Sequence, residues 1–285
     1  MENLRYNHEI EMIVTDLDGT LLYNESTLTE RTKRILELAD VMGILVVVAT
    51  GRSVCQLPEA VLDTKGIRFI ITSNGAVAID LRENKKIMRN LISHENALRT
   101  LDIINGLEIP HRFEINVDDH IYSERYFLEH IDEMEPDGNG KGWYDPHLIP
   151  VEDARRFLED GRREVEKFNI FFRTVEERNQ GIELLKKYPF LSISYSLEKN
   201  IEVNDCRADK GSAIELLAES LEIPRKNIIG FGDGTNDISL LGAAGLAVAT
   251  GNAAREVKEI ADYVTLDNKR DGVAKVLEAL IRMDE

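Results

Sequence analysis

Short apolar runs alternate with amphipathic stretches along the first part of the chain. The runs at residues 10–14, 45–49 and 69–72 have the length and composition of buried strands. Apolar residues at helical spacing predict a helix over 29–42, and a second helix is predicted over 52–62 despite Pro58. This βαβαβ order predicts a parallel sheet with helices on both faces.

The pattern changes near residue 75 and returns after residue 195. A hairpin over 75–80 and 86–91 is followed by mixed strands and helices and by a glycine-rich segment, 136–142, predicted to be a surface loop. Alternating strands and helices then resume, with strands predicted at 201–203, 227–232, 246–249 and 263–265.

One interrupted domain explains this order of elements. We predict an α/β fold in which residues 1–79 and 197–285 form a Rossmann-like core with a doubly wound parallel sheet. Residues 80–196 are predicted to form an inserted α+β domain.

Charge and composition narrow the possible partners. The chain has 52 acidic and 35 basic residues and a net charge of −17, which disfavours nucleic acid and anionic membranes. A small anionic substrate is still compatible, because a metal ion and a few local donors can reverse the sign within a cleft. Two cysteines without disulfide or metal spacing, a polar start and no apolar run of membrane-spanning length indicate a cytoplasmic protein. The sequence does not indicate an oligomeric state.

Two carboxylates, Asp16 and Asp18, follow the first predicted strand and precede Gly19 and Thr20. Because strand side chains alternate, both carboxylates would face the same way if the strand continued. Two carboxylates at one point repel each other and favour a divalent cation, and their pKa values can be pushed apart for nucleophilic and proton-transfer roles. A polar turn that ends a strand would have the same composition.

Three further strand ends carry polar residues. Thr50 and Gly51 offer a hydroxyl and an accessible backbone N–H before a predicted helix, as an anion site would. Lys210 begins a helix, and the helix dipole makes a cation at this end slightly unfavourable. An anionic partner beside the lysine would explain its position. The fourth segment, 230–237, places acids and an amide after a strand, and carboxylate oxygens there fit a hard cation such as Mg²⁺; these residues are Asp233, Asn236 and Asp237.

Each of these segments alone is compatible with a structural role, such as a helix cap, a tight turn or a solvated lysine. All four together, at four strand ends of one predicted sheet, favour a ligand site, because open α/β sheets bind ligands at the carboxyl ends of their strands.

The chain resembles the haloacid dehalogenase superfamily, specifically its Cof-type sugar-phosphatase-like hydrolases. Four segments match the motifs of that family in order, and the resemblance covers nearly the whole chain. Weaker matches lie at 72–76, 251–253, Asn268 and 271–273. The matching segments are Asp16-Leu17-Asp18-Gly19-Thr20-Leu21-Leu22, Thr50-Gly51-Arg52, Lys210-Gly211 and Gly232-Asp233-Gly234-Thr235-Asn236-Asp237.

This resemblance implies a role for each matching residue. Asp16 is the implied nucleophile and Asp18 the implied acid and base. Mg²⁺ is the implied cofactor, and its implied ligands are Asp16, the Asp18 backbone carbonyl, Asp233 and Asp237, the last directly or through water. The implied phosphate-binding residues are Thr50, Gly51, Lys210 and Asn236, and residues 80–196 are the implied cap that determines substrate specificity.

The resemblance implies an Mg²⁺-dependent phosphatase that hydrolyses small phosphorylated metabolites, such as sugar phosphates or cofactor phosphates, through an aspartyl-phosphate. Two alternatives stay open. A phosphomutase on the same scaffold would return the phosphate to a second hydroxyl, and a non-catalytic sensor would bind a phosphorylated ligand without releasing phosphate.

Overall fold

The computed structural model describes residues 6, 8–130 and 145–281, so the glycine-rich segment 136–142 lies outside the described residues. The strands, in chain order, are β1 (Met12–Thr15), β2 (Leu45–Ala49), β3 (Ile67–Thr72), β4 (Val77–Asp80), β5 (Lys85–Arg89), β6 (His111–Val117), β7 (His120–Glu124), β8 (Leu148–Val151), β9 (Lys167–Phe172), β10 (Leu191–Ser194), β11 (Asn200–Asp205), β12 (Ile228–Gly232), β13 (Leu246–Ala249) and β14 (Tyr263–Val264).

The α-helices cover both faces of one sheet and one face of another. In chain order they are α1 (Glu30–Val41), α2 (Glu59–Leu62), α3 (His94–Asn105), α4 (Arg125–Glu129), α5 (Ala154–Gly161), α6 (Val175–Leu185), α7 (Lys210–Ser220), α8 (Ile238–Ala243), α9 (Arg255–Ile260) and α10 (Gly272–Leu280). Within the described residues, none of the helices is both long and apolar enough to cross a membrane.

The chain divides into two compact units. Unit 1 contains the chain up to Gly51, Leu57–Arg89 and the chain from Asp209 onward, and unit 2 contains Arg52–Gln56 and Asn90–Ala208. Both junctions fall later in the chain than the predicted boundaries at 79/80 and 196/197. The assignment of a core and a cap to these parts of the chain stays a prediction.

Unit 1 contains an eight-stranded sheet in the order β14-β13-β12-β1-β2-β3-β4-β5. Its strands from β14 to β3 are parallel, and β4 and β5 extend it as an antiparallel edge. The central strands β1 and β2 are almost wholly buried, as expected for a sheet covered on both faces. The structure confirms the predicted α/β class with a doubly wound parallel sheet.

The order of strands reverses between β1 and β12. From β1 the chain builds outward through β2 and β3, whereas from β12 it builds in the opposite direction through β13 and β14. In doubly wound sheets, ligands bind at this switch point, beyond the carboxyl ends of the strands. Asp16 follows β1 and Asp233 follows β12, and the Asp16 N–H donates to the Phe231 carbonyl at 2.9 Å. The two acids therefore lie side by side at the switch point.

The predicted helix over 52–62 is wrong. A single 3₁₀ turn covers Val54–Gln56, and α2 begins only after Pro58, which has an extended backbone with φ −65° and ψ 140°. Proline lacks a backbone N–H and disfavours helical geometry in the residue before it, so a helix cannot run through this position without a kink.

Unit 2 contains a six-stranded sheet in the order β10-β11-β9-β6-β7-β8, antiparallel except between β7 and β8. One face packs apolar residues such as Phe113, Phe168 and Ile170 into a core with α3, α5 and α6. The strand predicted at 201–203 belongs here and not to the parallel sheet, because Ile201 and Val203 join this core and β11 pairs with β9 and β10.

Candidate functional site

Three carboxylates converge at the switch point of unit 1. Asp16, Asp233 and Asp237 each place an oxygen within 4.8 Å of the others. Asp16 and Asp237 are buried and Asp233 is half-buried. Among the described residues, this is a cluster of acids that could hold a metal ion, and all three belong to the set predicted from the sequence.

A buried lysine lies between two of these acids. The Nζ of Lys210 donates to Oδ1 of Asp16 and to Oδ1 of Asp237, both at 2.6 Å. The lysine occupies the first position of α7, where Asp209 caps the helix by accepting the Ser212 N–H at 3.0 Å. The cap fixes the start of the helix, and thereby directs Lys210 toward the ends of β1 and β12.

Burial and mutual repulsion shift the pKa values of these groups. The pKa of Asp16 is raised well above its usual value, first by burial and then by Asp237, with Lys210 opposing the shift. Burial, and next Asp237, raises the pKa of Asp233 to about 6. Burial alone would lower the pKa of Lys210, but Asp16 and Asp237 outweigh that effect and raise it, so the lysine stays charged.

The donor set fits a divalent cation. Three carboxylates face one ammonium, so the ionised cluster carries excess negative charge that a cation would offset. Oxygen ligands are those that Mg²⁺ prefers. Burial is the main cause of the raised pKa values of Asp16 and Asp233, and repulsion from Asp237 adds to both. The residues present therefore fit the implied cofactor.

Asp237 already has several partners within the protein. Its Oδ2 accepts the N–H groups of Asp233 and Gly234 at 3.0 and 2.9 Å, while its Oδ1 accepts from Lys210. These bonds close the loop after β12 and fix the Asp233 backbone. Such a carboxylate is placed to orient Asp233 and Lys210, and of the two implied modes of metal contact it favours the one through water.

Asp18 does not share the environment of Asp16. The chain leaves β1 after Thr15 and forms a wide turn over Leu17–Leu21, in which Asp18 has φ −83° and ψ 124° and Gly19 has φ 75°. Asp16 is buried, whereas Asp18 is exposed. The condition for the two carboxylates to face the same way is therefore not met, because strand geometry ends before Asp18. Both carboxylates still lie at the same edge of the sheet.

The predicted phosphate-binding residues are placed at neighbouring strand ends. Thr50 is fully buried after β2; its N–H donates to the Ile71 carbonyl at 2.8 Å and its carbonyl accepts the Asn74 N–H at 3.0 Å. Gly51 follows it and is half-buried. Asn236 lies in the 3₁₀ turn after Asp233 and is half-buried. Their proposed contacts with phosphate stay predictions.

Thr20 contacts the site through a hydrogen bond that the sequence did not predict. Its buried hydroxyl donates to Oδ1 of Asp233 at 2.8 Å and thereby links the turn after β1 to the acid after β12. The bond also opposes the rise in the pKa of Asp233. The position of Thr20 directly after Asp16, Asp18 and Gly19 indicated that it lies near the site. Its contact with Asp233 could not be predicted, because no local sequence pattern encodes a contact between residues more than two hundred positions apart.

Gly19→Ala is expected to disturb the site more than the fold. Gly19 has a positive φ, and an added Cβ would lie 2.3 Å from Oδ2 of Asp233, so that carboxylate would have to move. The family resemblance implies hydrolysis of phosphate esters at this site. A misplaced group commonly costs tenfold or more in rate, so we expect a loss of about that size in kcat/KM for an aryl phosphate.

Gly43→Ala is the matched control, because Gly43 also has a positive φ but open space around its Cβ position. Each variant should lose about 1–2 kcal/mol of unfolding free energy through backbone strain. Equal activity of the two variants would contradict the contact with Asp233.

Comparison with known proteins identifies the family of the chain. Residues 13–277 match the family model described as haloacid dehalogenase-like hydrolase. A Bacillus subtilis protein named 5-amino-6-(5-phospho-D-ribitylamino)uracil phosphatase YcsE is 30% identical over 273 residues, covering 96% of this chain and 96% of that protein. The phosphatase YwpJ of the same organism is also 30% identical, over 95% of this chain and 100% of its own length.

Solved structures show the same fold along almost the whole chain. A haloacid dehalogenase-like hydrolase from B. subtilis superposes with a TM-score of 0.82 at 28% identity, covering 95% of this chain and 100% of that chain. The predicted resemblance, and with it the prediction of an enzyme of the phosphatase type, is confirmed by these matches. The chain belongs to the haloacid dehalogenase-like hydrolase family.

Proposed function

We propose that the chain is an Mg²⁺-dependent phosphatase that hydrolyses small phosphorylated metabolites, such as sugar phosphates or cofactor phosphates, through an aspartyl-phosphate on Asp16. The observation that carries this proposal is the buried cluster of Asp16, Asp233, Asp237 and Lys210 at the switch point of the sheet. The name of one relative specifies a phosphorylated ribitylamino compound as its substrate, which is a small molecule of this class.

Two displacements at phosphorus account for the proposed hydrolysis. In the first, a carboxylate oxygen of Asp16 bonds to phosphorus, the bond from phosphorus to the alcohol oxygen breaks, and Asp18 gives its proton to that oxygen. In the second, the Asp18 carboxylate takes a proton from water, the water oxygen bonds to phosphorus, and the bond to Asp16 breaks. Two steps through a covalent intermediate replace one more difficult displacement.

The buried charges of the site prepare Asp16 for this attack. Lys210 holds Oδ1 of Asp16 at 2.6 Å, which fixes the direction of the carboxylate. Its positive charge offsets part of the repulsion between the carboxylate and an approaching phosphate. Asp16 and Asp233, with the Asp18 carbonyl and with Asp237 through water, would hold Mg²⁺. When bound, that ion would neutralise charge on the phosphoryl oxygens.

We assign two further roles by the same reasoning. Thr50, Gly51 and Asn236 contact the phosphoryl oxygens, supported by their position at the strand ends next to Asp16. The α+β residues between the two parts of the parallel domain form the cap that determines substrate specificity, as the resemblance to the family implies.

Phosphate release tests the proposal directly. Purified protein with Mg²⁺ should hydrolyse a generic aryl phosphate, and a panel of sugar phosphates and cofactor phosphates should then identify the preferred class. Transfer of phosphate to a second hydroxyl with little net release would favour the phosphomutase instead. Binding of phosphorylated ligands without any release would favour the sensor.

Metal removal should abolish the activity and change the stability of the fold. EDTA should stop phosphate release, and added Mg²⁺ should restore it. Mg²⁺ should also raise the unfolding temperature, because an ion that binds only the folded state stabilises it. We expect this rise to be large at about pH 7.5 and small at about pH 5, since metal ligands must be deprotonated.

The direction of this pH dependence follows from the pKa of Asp233, which is about 6 in the folded protein against an ordinary value of 3.8. Below pH 6 the carboxyl group holds a proton that competes with the metal. Without metal, the folded state holds this proton more tightly than the unfolded state, so stability falls as pH rises between these two values. Asp233→Asn should show little Mg²⁺ effect at either pH. An equal Mg²⁺ effect in the wild type at both pH values would contradict the role of Asp233.

A further inference from the structure

The turn that carries Asp18 has an irregular backbone. Within Leu17–Leu21, Asp18 and Gly19 both depart from helical geometry, and the turn is closed by the Leu22 N–H donating to the Leu17 carbonyl at 3.0 Å. One closing bond across such a turn leaves other backbone carbonyls to be paired elsewhere. The partners of these carbonyls therefore influence where the turn places Asp18.

Two asparagines from distant parts of the chain bind those carbonyls. The Nδ2 of Asn252 donates to the Gly19 carbonyl at 2.8 Å, and the Nδ2 of Asn268 donates to the Leu22 carbonyl at 2.7 Å. The asparagines are also joined to each other, because the Asn268 N–H donates to Oδ1 of Asn252 at 3.1 Å. The turn is thus held at its middle and at its end by one connected pair of amides.

The same pair is linked to the acid after β12. Nδ2 of Asn252 also lies 3.4 Å from Oδ2 of Asp233, whose Oδ1 accepts from Thr20. The hydroxyl of Thr250 adds a weaker bond to the Gly19 carbonyl at 3.4 Å. Donors therefore reach the turn from the loop after β13 and from the segment before α10, and Asn252 links it to Asp233.

We propose that Asn252 and Asn268 are positioning residues that hold the turn so that Asp18 can exchange its proton with the leaving oxygen. This inference rests on the proposed function. Asp18 is exposed and lies within this turn, so the position of the turn backbone contributes to where its carboxylate lies. A general acid must lie within hydrogen-bond reach of the oxygen it protonates, and a shift of the turn would remove that reach while leaving Asp16 in place.

The choice of leaving group separates this role from a merely structural one. An alkyl alcohol is a poor leaving group and needs protonation as the bond to phosphorus breaks, whereas a nitrophenolate leaves without it. We expect Asn252→Ala to lower kcat/KM for an alkyl phosphate by about tenfold or more and for p-nitrophenyl phosphate by less than about threefold. Asn268→Ala should show the same preference with a smaller effect, because its backbone N–H still reaches Asn252.

Asn227→Ala is the matched control. Asn227 makes an amide hydrogen bond of similar length, 2.9 Å to Glu11, but lies before β12, at the opposite end of that strand from Asp233. Hydrogen–deuterium exchange gives a second readout that does not depend on activity. Amides of residues 17–22 should exchange faster in Asn252→Ala and Asn268→Ala than in the wild type, and should be unchanged in Asn227→Ala.

The outcomes separate this inference from the proposed function. The positioning role would be overturned if Asn252→Ala lost kcat/KM equally for the two substrates. It would also be overturned if neither the ratio of the two kcat/KM values nor the hydrogen–deuterium exchange of residues 17–22 changed. In both cases, activity of the wild type would still support the phosphatase. Wild-type protein that released phosphate from neither substrate would overturn both.

Discussion

Asp16→Asn is expected to abolish phosphate release and to leave the fold intact. The amide has nearly the same shape as the carboxylate but cannot attack phosphorus, and loss of a nucleophile can lower kcat by at least about 10³-fold. Lys210 would keep its bond to Asp237 at 2.6 Å. Because burial makes the ionised Asp16 unfavourable in the folded protein, we expect the unfolding temperature of the metal-free variant to stay close to that of the wild type.

The phosphoenzyme itself should be visible in the wild type. Acid quenching during turnover, followed by mass spectrometry, should detect phosphate on the peptide that contains Asp16 and should detect none in Asp16→Asn. Asp40→Asn is the control, because Asp40 forms an ion pair with Arg82 at the surface of unit 1, outside the cluster. Normal turnover by Asp16→Asn, or phosphate trapped on a different peptide, would refute Asp16 as the nucleophile.

Much of the parallel sheet and its acidic edge could be predicted from the sequence. Apolar runs such as Leu45–Ala49 are typical of strands buried on both faces, and the alternation with helices predicts that the strands are parallel. Parallel strands end at one common edge, so residues after different strands must come together there. This reasoning brings Asp16 and Asp233 together without any knowledge of their contacts. It does not account for Lys210, because the strand that precedes this residue, β11, belongs to the second sheet, and Lys210 reaches the two acids from the start of α7.

Other features depended on information that a local pattern does not contain. The apolar spacing of Ile201 and Val203 predicts a strand but not its neighbours, and β11 pairs in the second sheet. Asp18 does not continue the strand alternation, because β1 ends at Thr15 and Asp18 lies in the turn over Leu17–Leu21. Thr20 donates to Asp233 and Asn252 donates to the Gly19 carbonyl, and each of these bonds joins residues more than two hundred positions apart. Such contacts arise only after the sheet has formed.

Lys210→Met is expected to damage both stability and activity. The lysine side chain is only 1% exposed and is bonded to two buried carboxylates, so its replacement leaves those charges without their cation. Breaking a buried ion pair in this way typically costs about 3–5 kcal/mol of unfolding free energy. We also expect kcat/KM to fall by about 10²-fold or more, because Asp16 loses the donor that orients it and the phosphate loses a nearby positive charge.

Lys33→Met provides the contrast, because Lys33 pairs with an exposed Glu30 at 3.2 Å and such surface pairs are worth about 1 kcal/mol or less. Chemical denaturation without metal should therefore separate the two variants clearly.

Mg²⁺ should stabilise Lys210→Met more than it stabilises the wild type, since the ion would supply positive charge that the variant lacks. If Lys210→Met unfolded like Lys33→Met and gained no more from Mg²⁺ than the wild type, the acids would not depend on Lys210 for their charge balance. The proposed electrostatic basis of the site would then be wrong, even if Asp16 were the nucleophile.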